Sequence, residues 1–174
     1  MKSARAAINL VFALTLMAVP AVAQDQVVFL VRHAERAPLP ADQPVSRGMM
    51  GEDPPLSAAG QDRARRLAAM LASADIKHIL TTEYQRTRQT AAPIAERTNI
   101  KLVMGAAKDP QPFIDQIQKA SGNVLVVGHS NTIPDLLKRL GVTQPITIAD
   151  NEYDNLFVVV RRGAGQPTLI RLRY

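Results

Sequence analysis

Short apolar runs alternate with amphipathic segments along this chain. Val27–Val31 and Val124–Val127 are continuous apolar runs of the kind found in strands buried on both faces. Further strands are predicted at residues 76–80, 100–104, 156–160 and 169–172. Helices are predicted after Ser57, which can cap the first one, and at residues 85–97, 113–120 and 133–140. Strands alternating with helices indicate an α/β fold with a mostly parallel sheet.

The N-terminal segment stands outside this alternation. Lys2 and Arg5 precede an apolar stretch that ends in a small-x-small sequence at residues 21–23, so residues 1–23 are predicted to be a secretory signal peptide. An uncleaved anchor is the alternative, although the apolar stretch is short for a membrane span. Cleavage would leave residues 24–174 as a single periplasmic or secreted domain without a membrane span.

A second irregular segment covers residues 37–55. It is rich in proline and glycine, which predicts a loop. The loop is long for a compact domain, and such loops are usually functional or mobile. Its role stays open at this point.

The amino-acid composition excludes some kinds of catalysis and binding. The chain has no cysteine, which excludes thiol catalysis and thiolate metal sites. Aromatic residues make up 4 % of the chain and tryptophan is absent, which argues against base stacking and hence against nucleic-acid binding. The formal net charge of +6 is compatible with an anionic ligand but equally with a basic surface.

Polar groups of one chemical kind follow three of the predicted strands. Arg32 and His33 follow the first strand, Arg86 lies shortly after the second, and His129 follows the strand at residues 124–127. Ligands of open α/β sheets bind beyond the carboxyl ends of the strands, so these side chains are expected to meet at one edge. A neutral imidazole is a good nucleophile, and guanidinium groups match phosphate oxygens in a bidentate fork. The set therefore suits phosphoryl transfer.

Simpler interpretations exist for each residue alone. A single histidine at a strand end is more often structural, and His78 inside a predicted strand is interpreted in that way. Arg63, Arg65 and Arg66 on the first helix are interpreted as a solvated face. Metal binding by His33 and His129 is disfavoured, because adjacent guanidinium groups would repel a cation.

Four motifs in order give the chain a family resemblance. Four segments are similar to the signatures of the histidine phosphatase (phosphoglycerate mutase-like) superfamily. They are the sequence around Arg32-His33, the Leu56–Ala64 helix start, the Thr81–Ala91 segment and Val126–Ser130. The resemblance extends to small exported phosphatases like the compact phosphohistidine phosphatases. It implies a three-layer sandwich, with a mostly parallel central sheet between helices on both faces, and no metal or organic cofactor.

The same resemblance implies roles for residues. His33 would be the phosphoryl acceptor, Arg32 and Arg86 would bind the phosphate, and His129 would be a second catalytic histidine facing the same phosphate. Glu35 would orient Arg36 or the neighbouring loop, or lie at the surface.

The chain departs from the family pattern in two places. Ala34 replaces the usual glycine after the first histidine. The acid that protonates the leaving group is not evident, and Glu83, Asp109 or no residue at all are the alternatives. A phosphoramidate leaves without much help, so a missing acid would be tolerable for phosphohistidine.

The expected function is hydrolysis of a phosphomonoester through a phosphohistidine on His33. The expected ligand is a phosphorylated small molecule or a phosphorylated component of the cell envelope. Two alternatives remain: a non-catalytic protein that binds phosphate-bearing envelope ligands, and a phosphotransferase of the phosphoglycerate mutase type. The sequence decides neither the substrate nor the oligomeric state.

Overall fold

The computed structural model describes residues 25–38, 53–163 and 165–174. The predicted signal peptide and most of the predicted loop at 37–55 lie outside these ranges. Six strands and four helices follow one another in the order β1 (Gln26–Arg32), α1 (Ala58–Met70), β2 (Ile76–Thr82), α2 (Gln85–Thr98), β3 (Leu102–Gly105), α3 (Gln111–Lys119), β4 (Asn123–Gly128), α4 (Thr132–Arg139), β5 (Asn155–Arg161) and β6 (Thr168–Arg173). Each predicted strand and helix is present, with ends that differ by a few residues.

The strands form one sheet in the order β3-β2-β4-β1-β5-β6. The first four strands of that order pair in parallel, whereas β5 and β6 are antiparallel to their neighbours. The mostly parallel α/β sheet predicted from the sequence is therefore confirmed. The last two strands form a hairpin, and Gly163, which follows β5 closely, adopts a positive φ of 53° that glycine tolerates without strain.

Helices cover both faces of the sheet, because its strands alternate apolar side chains between two cores. On β1, Val28 and Leu30 belong to the core that includes apolar residues of α3 and α4. Val31 belongs to the opposite core, which is completed by residues of α1 and α2. This two-sided burial explains why the central strands are almost wholly apolar.

The helix ends are set by local chemistry. The Ser57 side chain accepts a hydrogen bond from the Gly60 amide at 3.1 Å and caps α1, as the sequence predicts. Helix α2 continues past Pro93 and ends at Asn99, which adopts a left-handed conformation. In the described part of the chain, no helix is long and apolar enough to cross a membrane.

Candidate active site

The polar residues predicted to meet at one edge of the sheet lie together around a cavity of about 350 Å³. His33 follows β1, His129 follows β4, and the two imidazole rings lie 5.2 Å apart in an edge-to-face arrangement. The register explains this proximity, because β1 and β4 are adjacent and Arg32 pairs with Gly128. The cavity is lined by Arg32, His33, Arg36, Arg86, His129, Ser130, Asn131, Asp150 and Tyr153.

Only one nitrogen of His33 has a hydrogen-bond partner among the described residues. Nδ1 lies 2.8 Å from the carbonyl oxygen of Ala34, which can only accept, so Nδ1 carries the proton and donates it. Nε2 then keeps its lone pair. Burial, together with the charges of Arg86 and Arg32, lowers the pKa of His33 to about 4, so the ring is neutral at pH 7. A neutral ring with an unprotonated Nε2 is a competent nucleophile.

His129 is held by a chain of hydroxyl groups. Its Nε2 lies 3.0 Å from Thr82 Oγ1, which lies 2.9 Å from Thr87 Oγ1. The Thr87 hydroxyl donates its single proton to a backbone carbonyl, at 2.7 Å from Tyr84 O. Consequently Thr87 accepts from Thr82, and Thr82 accepts from the Nε2–H of His129. Burial, with His33 and Arg86 nearby, lowers the pKa of His129 to about 3.

Arg32 holds the turn that closes one side of the cavity. Its Nη1 donates to three carbonyl oxygens, those of Ala149, Asp150 and Glu152, at 2.9 to 3.2 Å. The guanidinium also stacks on the ring of Tyr153, 4.3 Å from its centre. Its Nε is buried and has no hydrogen-bond partner among the described residues, so this donor is available to an anionic ligand.

Arg86 is supported on the other side. It lies in the first turn of α2, stacks 4.2 Å from the centre of the Tyr84 ring and pairs with Asp53 at 3.5 Å. Desolvation lowers the pKa of Arg86, but an arginine stays charged at any physiological pH. Thr90 joins this turn to the loop after β1, since its hydroxyl donates to Arg86 O and accepts from the Ala34 amide.

The comparison with sequence families agrees with this arrangement. Residues 28–107 match the model of the histidine phosphatase superfamily (branch 1), a range that contains the two arginines, His33 and the Thr82–Thr87 chain. This match covers a little under half of the chain, and over that stretch the chain is similar to the histidine phosphatase superfamily. Members of the superfamily are phosphatases or mutases.

Curated relatives share part of this domain. The probable phosphoglycerate mutase GpmB of Yersinia enterocolitica is 40 % identical over 77 residues, which are 44 % of this chain and 34 % of that protein. Its counterpart from Serratia proteamaculans is 35 % identical over 77 residues, with the same coverage. The matched stretch therefore spans about one third of the length of these relatives.

Solved structures share the whole fold. The SixA protein from Agrobacterium tumefaciens superposes with a TM-score of 0.61 and 23 % identity, over 85 % of this chain and 98 % of that chain. The protein histidine phosphatase SixA in complex with tungstate gives a TM-score of 0.62 with 18 % identity, over 84 % and 96 % of the two chains. At these identities the likeness shows the fold. The fold of this chain is therefore the one shared by these solved structures.

The two acids considered from the sequence do not reach this cavity. Glu83 Oε2 accepts from the Ala107 amide at 2.7 Å, and Asp109 Oδ1 accepts from the Gln111 amide at 3.1 Å. Neither residue lines the cavity. Both carboxylates stabilise loop backbone at the edge of the sheet instead.

Glu35 and Arg63 correct two of the sequence interpretations. Glu35 does not pair with Arg36; both its oxygens accept from Arg63 in a bidentate pair, which anchors the loop after β1 to α1. Arg63 also donates to Tyr174 O at 2.8 Å, and its side chain is 17 % exposed, so it is not part of a solvated face. The arginine joins α1, the loop after β1 and the residue after β6. The packing is tight, because a β-carbon on Gly60 would collide with the Glu35 carbonyl.

Sequence reasoning missed several residues around the superfamily motifs. Thr82 belongs to the Thr81–Ala91 motif, but its link to His129 depends on how β2 and β4 pair. Tyr153 lies in the polar run at residues 150–155, which the sequence marks either as a rim of the pocket or as a polar turn, but nothing in the sequence ties Tyr153 to Arg32. In the described ranges, no group of three or more histidine, aspartate or glutamate side chains is placed to hold a metal ion. His78 lies within β2 and its Nε2 contacts Ser121 O at 3.2 Å, away from the cavity.

Proposed function

We propose that this protein is a phosphatase that hydrolyses a phosphomonoester through a phosphohistidine on His33. The observation that carries the proposal is the pair of neutral imidazoles, 5.2 Å apart, in a cavity lined by guanidinium groups. In the first step Nε2 of His33 attacks phosphorus and the ester oxygen leaves. In the second step water attacks the phosphohistidine and releases inorganic phosphate.

Two arginines and His129 bind the phosphoryl group in this mechanism. Arg32 offers its unpartnered Nε, and Arg86 faces the same cavity. Their charges neutralise the phosphate oxygens, which is the main requirement of phosphoryl transfer. His129 engages the same group, and a bound phosphate dianion would raise the pKa of this ring and favour the protonated form that donates to a phosphate oxygen.

Hydrolysis is favoured over mutase activity and over binding without turnover. The residues that a phosphoryl-enzyme needs are all present, which argues against a binding protein. The matched relatives are named as probable phosphoglycerate mutases, but the match covers only about one third of their length. A mutase must also shield its phosphohistidine from water, whereas the described residues line this cavity mainly with charged and polar side chains.

The substrate we propose is a phosphorylated small molecule or a phosphorylated envelope component, met in the periplasm or outside the cell. This location rests on the predicted signal peptide at residues 1–23.

Phosphoryl trapping tests the proposal. Wild type, His33→Ala and the control His78→Ala are incubated with p-nitrophenyl phosphate, and p-nitrophenol release and acid-labile protein phosphate are measured. We expect turnover and trapping in wild type and His78→Ala, and neither in His33→Ala. Absence of turnover in folded wild type that still binds inorganic phosphate would refute the phosphatase and favour a binding protein. Transfer of the phosphoryl group to added phosphoglycerate rather than to water would favour a mutase.

A further inference from the structure

The carboxylates of the described residues differ in whether they lie at the cavity. Breaking the bond to an alkyl oxygen requires that oxygen to receive a proton. Glu83 and Asp109 accept hydrogen bonds from loop amides and do not line the cavity. Among the described residues that line the cavity, Asp150 is the one with a carboxylate.

Asp150 is fixed in place by the phosphate-binding arginine itself. Arg32 Nη1 donates to the carbonyl oxygens of Ala149 and Asp150, at 2.9 and 3.0 Å. The backbone on either side of the Asp150 side chain is therefore anchored to a guanidinium that we assign to the phosphoryl group. A general acid must be held at hydrogen-bonding reach of the leaving oxygen, and this anchorage couples the two positions.

The Asp150 side chain is also accessible to water. Its side chain is exposed at the rim. Within residues 25–38, 53–163 and 165–174, no hydrogen bond or ion pair engages the carboxylate. A donor that must regain a proton in every cycle benefits from this contact with water.

Asp53 is the competing carboxylate. It lies next to Arg86 but outside the cavity lining, and both its oxygens accept from the Gln85 amide at 2.7 to 2.8 Å. Its geometry is that of a cap on helix α2. A carboxylate occupied in this way supports the helix and the arginine rather than a leaving group.

We propose that Asp150 is the general acid of the reaction, an assignment that rests on the proposed phosphatase function. As Nε2 of His33 forms its bond to phosphorus, the bond from phosphorus to the ester oxygen breaks. The Asp150 carboxyl gives its proton to that oxygen, and the alcohol departs. Water then attacks the phosphohistidine, the bond from nitrogen to phosphorus breaks, and the proton lost by the water restores the Asp150 carboxyl.

A comparison of leaving groups tests this role. The quantity measured is kcat/KM, which covers the steps up to phosphohistidine formation, with glycerol phosphate and with dinitrophenyl phosphate. Dinitrophenolate leaves without protonation, whereas the glycerol oxygen must receive a proton in order to leave. Asp150→Asn should lower kcat/KM for glycerol phosphate by about 100-fold but change the value for dinitrophenyl phosphate by less than about threefold. Asp150→Glu should recover part of the loss.

Matched variants distinguish a loss of proton donation by Asp150 from a general loss of folding or activity. Asp109→Asn and Glu83→Gln make equivalent changes outside the cavity and should leave both substrates unaffected. A loss confined to glycerol phosphate in Asp53→Asn, with Asp150→Asn unaffected, would overturn the assignment in favour of Asp53. An equal effect of Asp150→Asn on both substrates would also overturn it.

Wild-type activity separates this inference from the proposed function. Turnover of dinitrophenyl phosphate without any turnover of glycerol phosphate would overturn the general acid and leave the phosphatase standing. Failure to hydrolyse either substrate would overturn both.

Discussion

Two adjacent threonines on β2 should respond in opposite ways to the same substitution. Thr81 and Thr82 are both fully buried. Thr82 Oγ1 accepts from His129 and donates to Thr87, whereas Thr81 Oγ1 has no hydrogen-bond partner in the part of the chain that the structure describes. Valine replaces the hydroxyl with a methyl group of similar size, so the comparison isolates the hydrogen bonds.

The expected changes in stability follow from what each hydroxyl does. Thr82→Val leaves the buried Nε2–H of His129 without an acceptor, and one such group costs about 1–3 kcal/mol. A loss of about 2 kcal/mol would lower Tm by roughly 4–8 °C in a domain of this size. Thr81→Val removes an unpaired buried hydroxyl, so the free energy of unfolding should stay the same or rise by about 1 kcal/mol.

Activity should separate the two variants as well. Without Thr82 the proton of His129 is no longer fixed on Nε2, and we expect kcat/KM with p-nitrophenyl phosphate to fall about tenfold, the equivalent of one hydrogen bond. Thr81→Val should keep wild-type kinetics. Urea denaturation, thermal unfolding and steady-state kinetics on both variants provide the check. Equal destabilisation of the two, or a Thr82→Val protein with wild-type stability and rate, would refute the polarity deduced for the hydroxyl chain.

Two further predictions concern pH and the aromatic support of the arginines. Because burial lowers the pKa of His33 to about 4 and of His129 to about 3, the unfolded chain takes up protons first as the pH falls from 7, and the free energy of unfolding should fall by about 2 kcal/mol per histidine by pH 5. Urea denaturation as a function of pH measures this slope, which should flatten in the double variant His33→Gln/His129→Gln; an unchanged slope would contradict the buried neutral rings. Tyr153→Leu removes the ring that stacks on Arg32 and should weaken inorganic phosphate binding by roughly three- to tenfold in calorimetry, whereas Tyr153→Phe should bind as wild type. Equal weakening by both variants would mean that the hydroxyl, and not the ring, provides the support.

The local sequence pattern was sufficient to predict the strands and helices and part of the candidate site. Each run such as Val124–Val127 is apolar on both sides because it lies in the middle of a parallel sheet, and this burial is visible in the residues themselves. The same rule placed His33 and His129 at strand ends, and adjacent parallel strands bring their carboxyl ends to one edge. The juxtaposition of the two rings is thus a consequence of strand position.

Contacts between distant segments could not be predicted from the sequence. The interpretation of Arg63 as solvated failed because its partners, Glu35 and Tyr174, come from two other parts of the chain, 28 and 111 residues away. An amphipathic pattern identifies which face of a helix is polar, but it does not tell whether a polar residue on that face meets water or a buried carboxylate. Only the packing of α1 against the loop after β1 decides this.

By itself, the sequence determined the α/β class, the strand ends that carry the chemistry and the absence of thiols, since each depends on residue type and local order. The tertiary structure alone decided that β1 lies between β4 and β5, and with it the surroundings of His33. It alone brought Asp150 and Tyr153 to Arg32, more than 100 residues away in the chain. The physical reason is that a turn has no intrinsic preference for a distant guanidinium. Three carbonyl oxygens converge on Arg32 only when the sheet has formed and β5 lies beside β1.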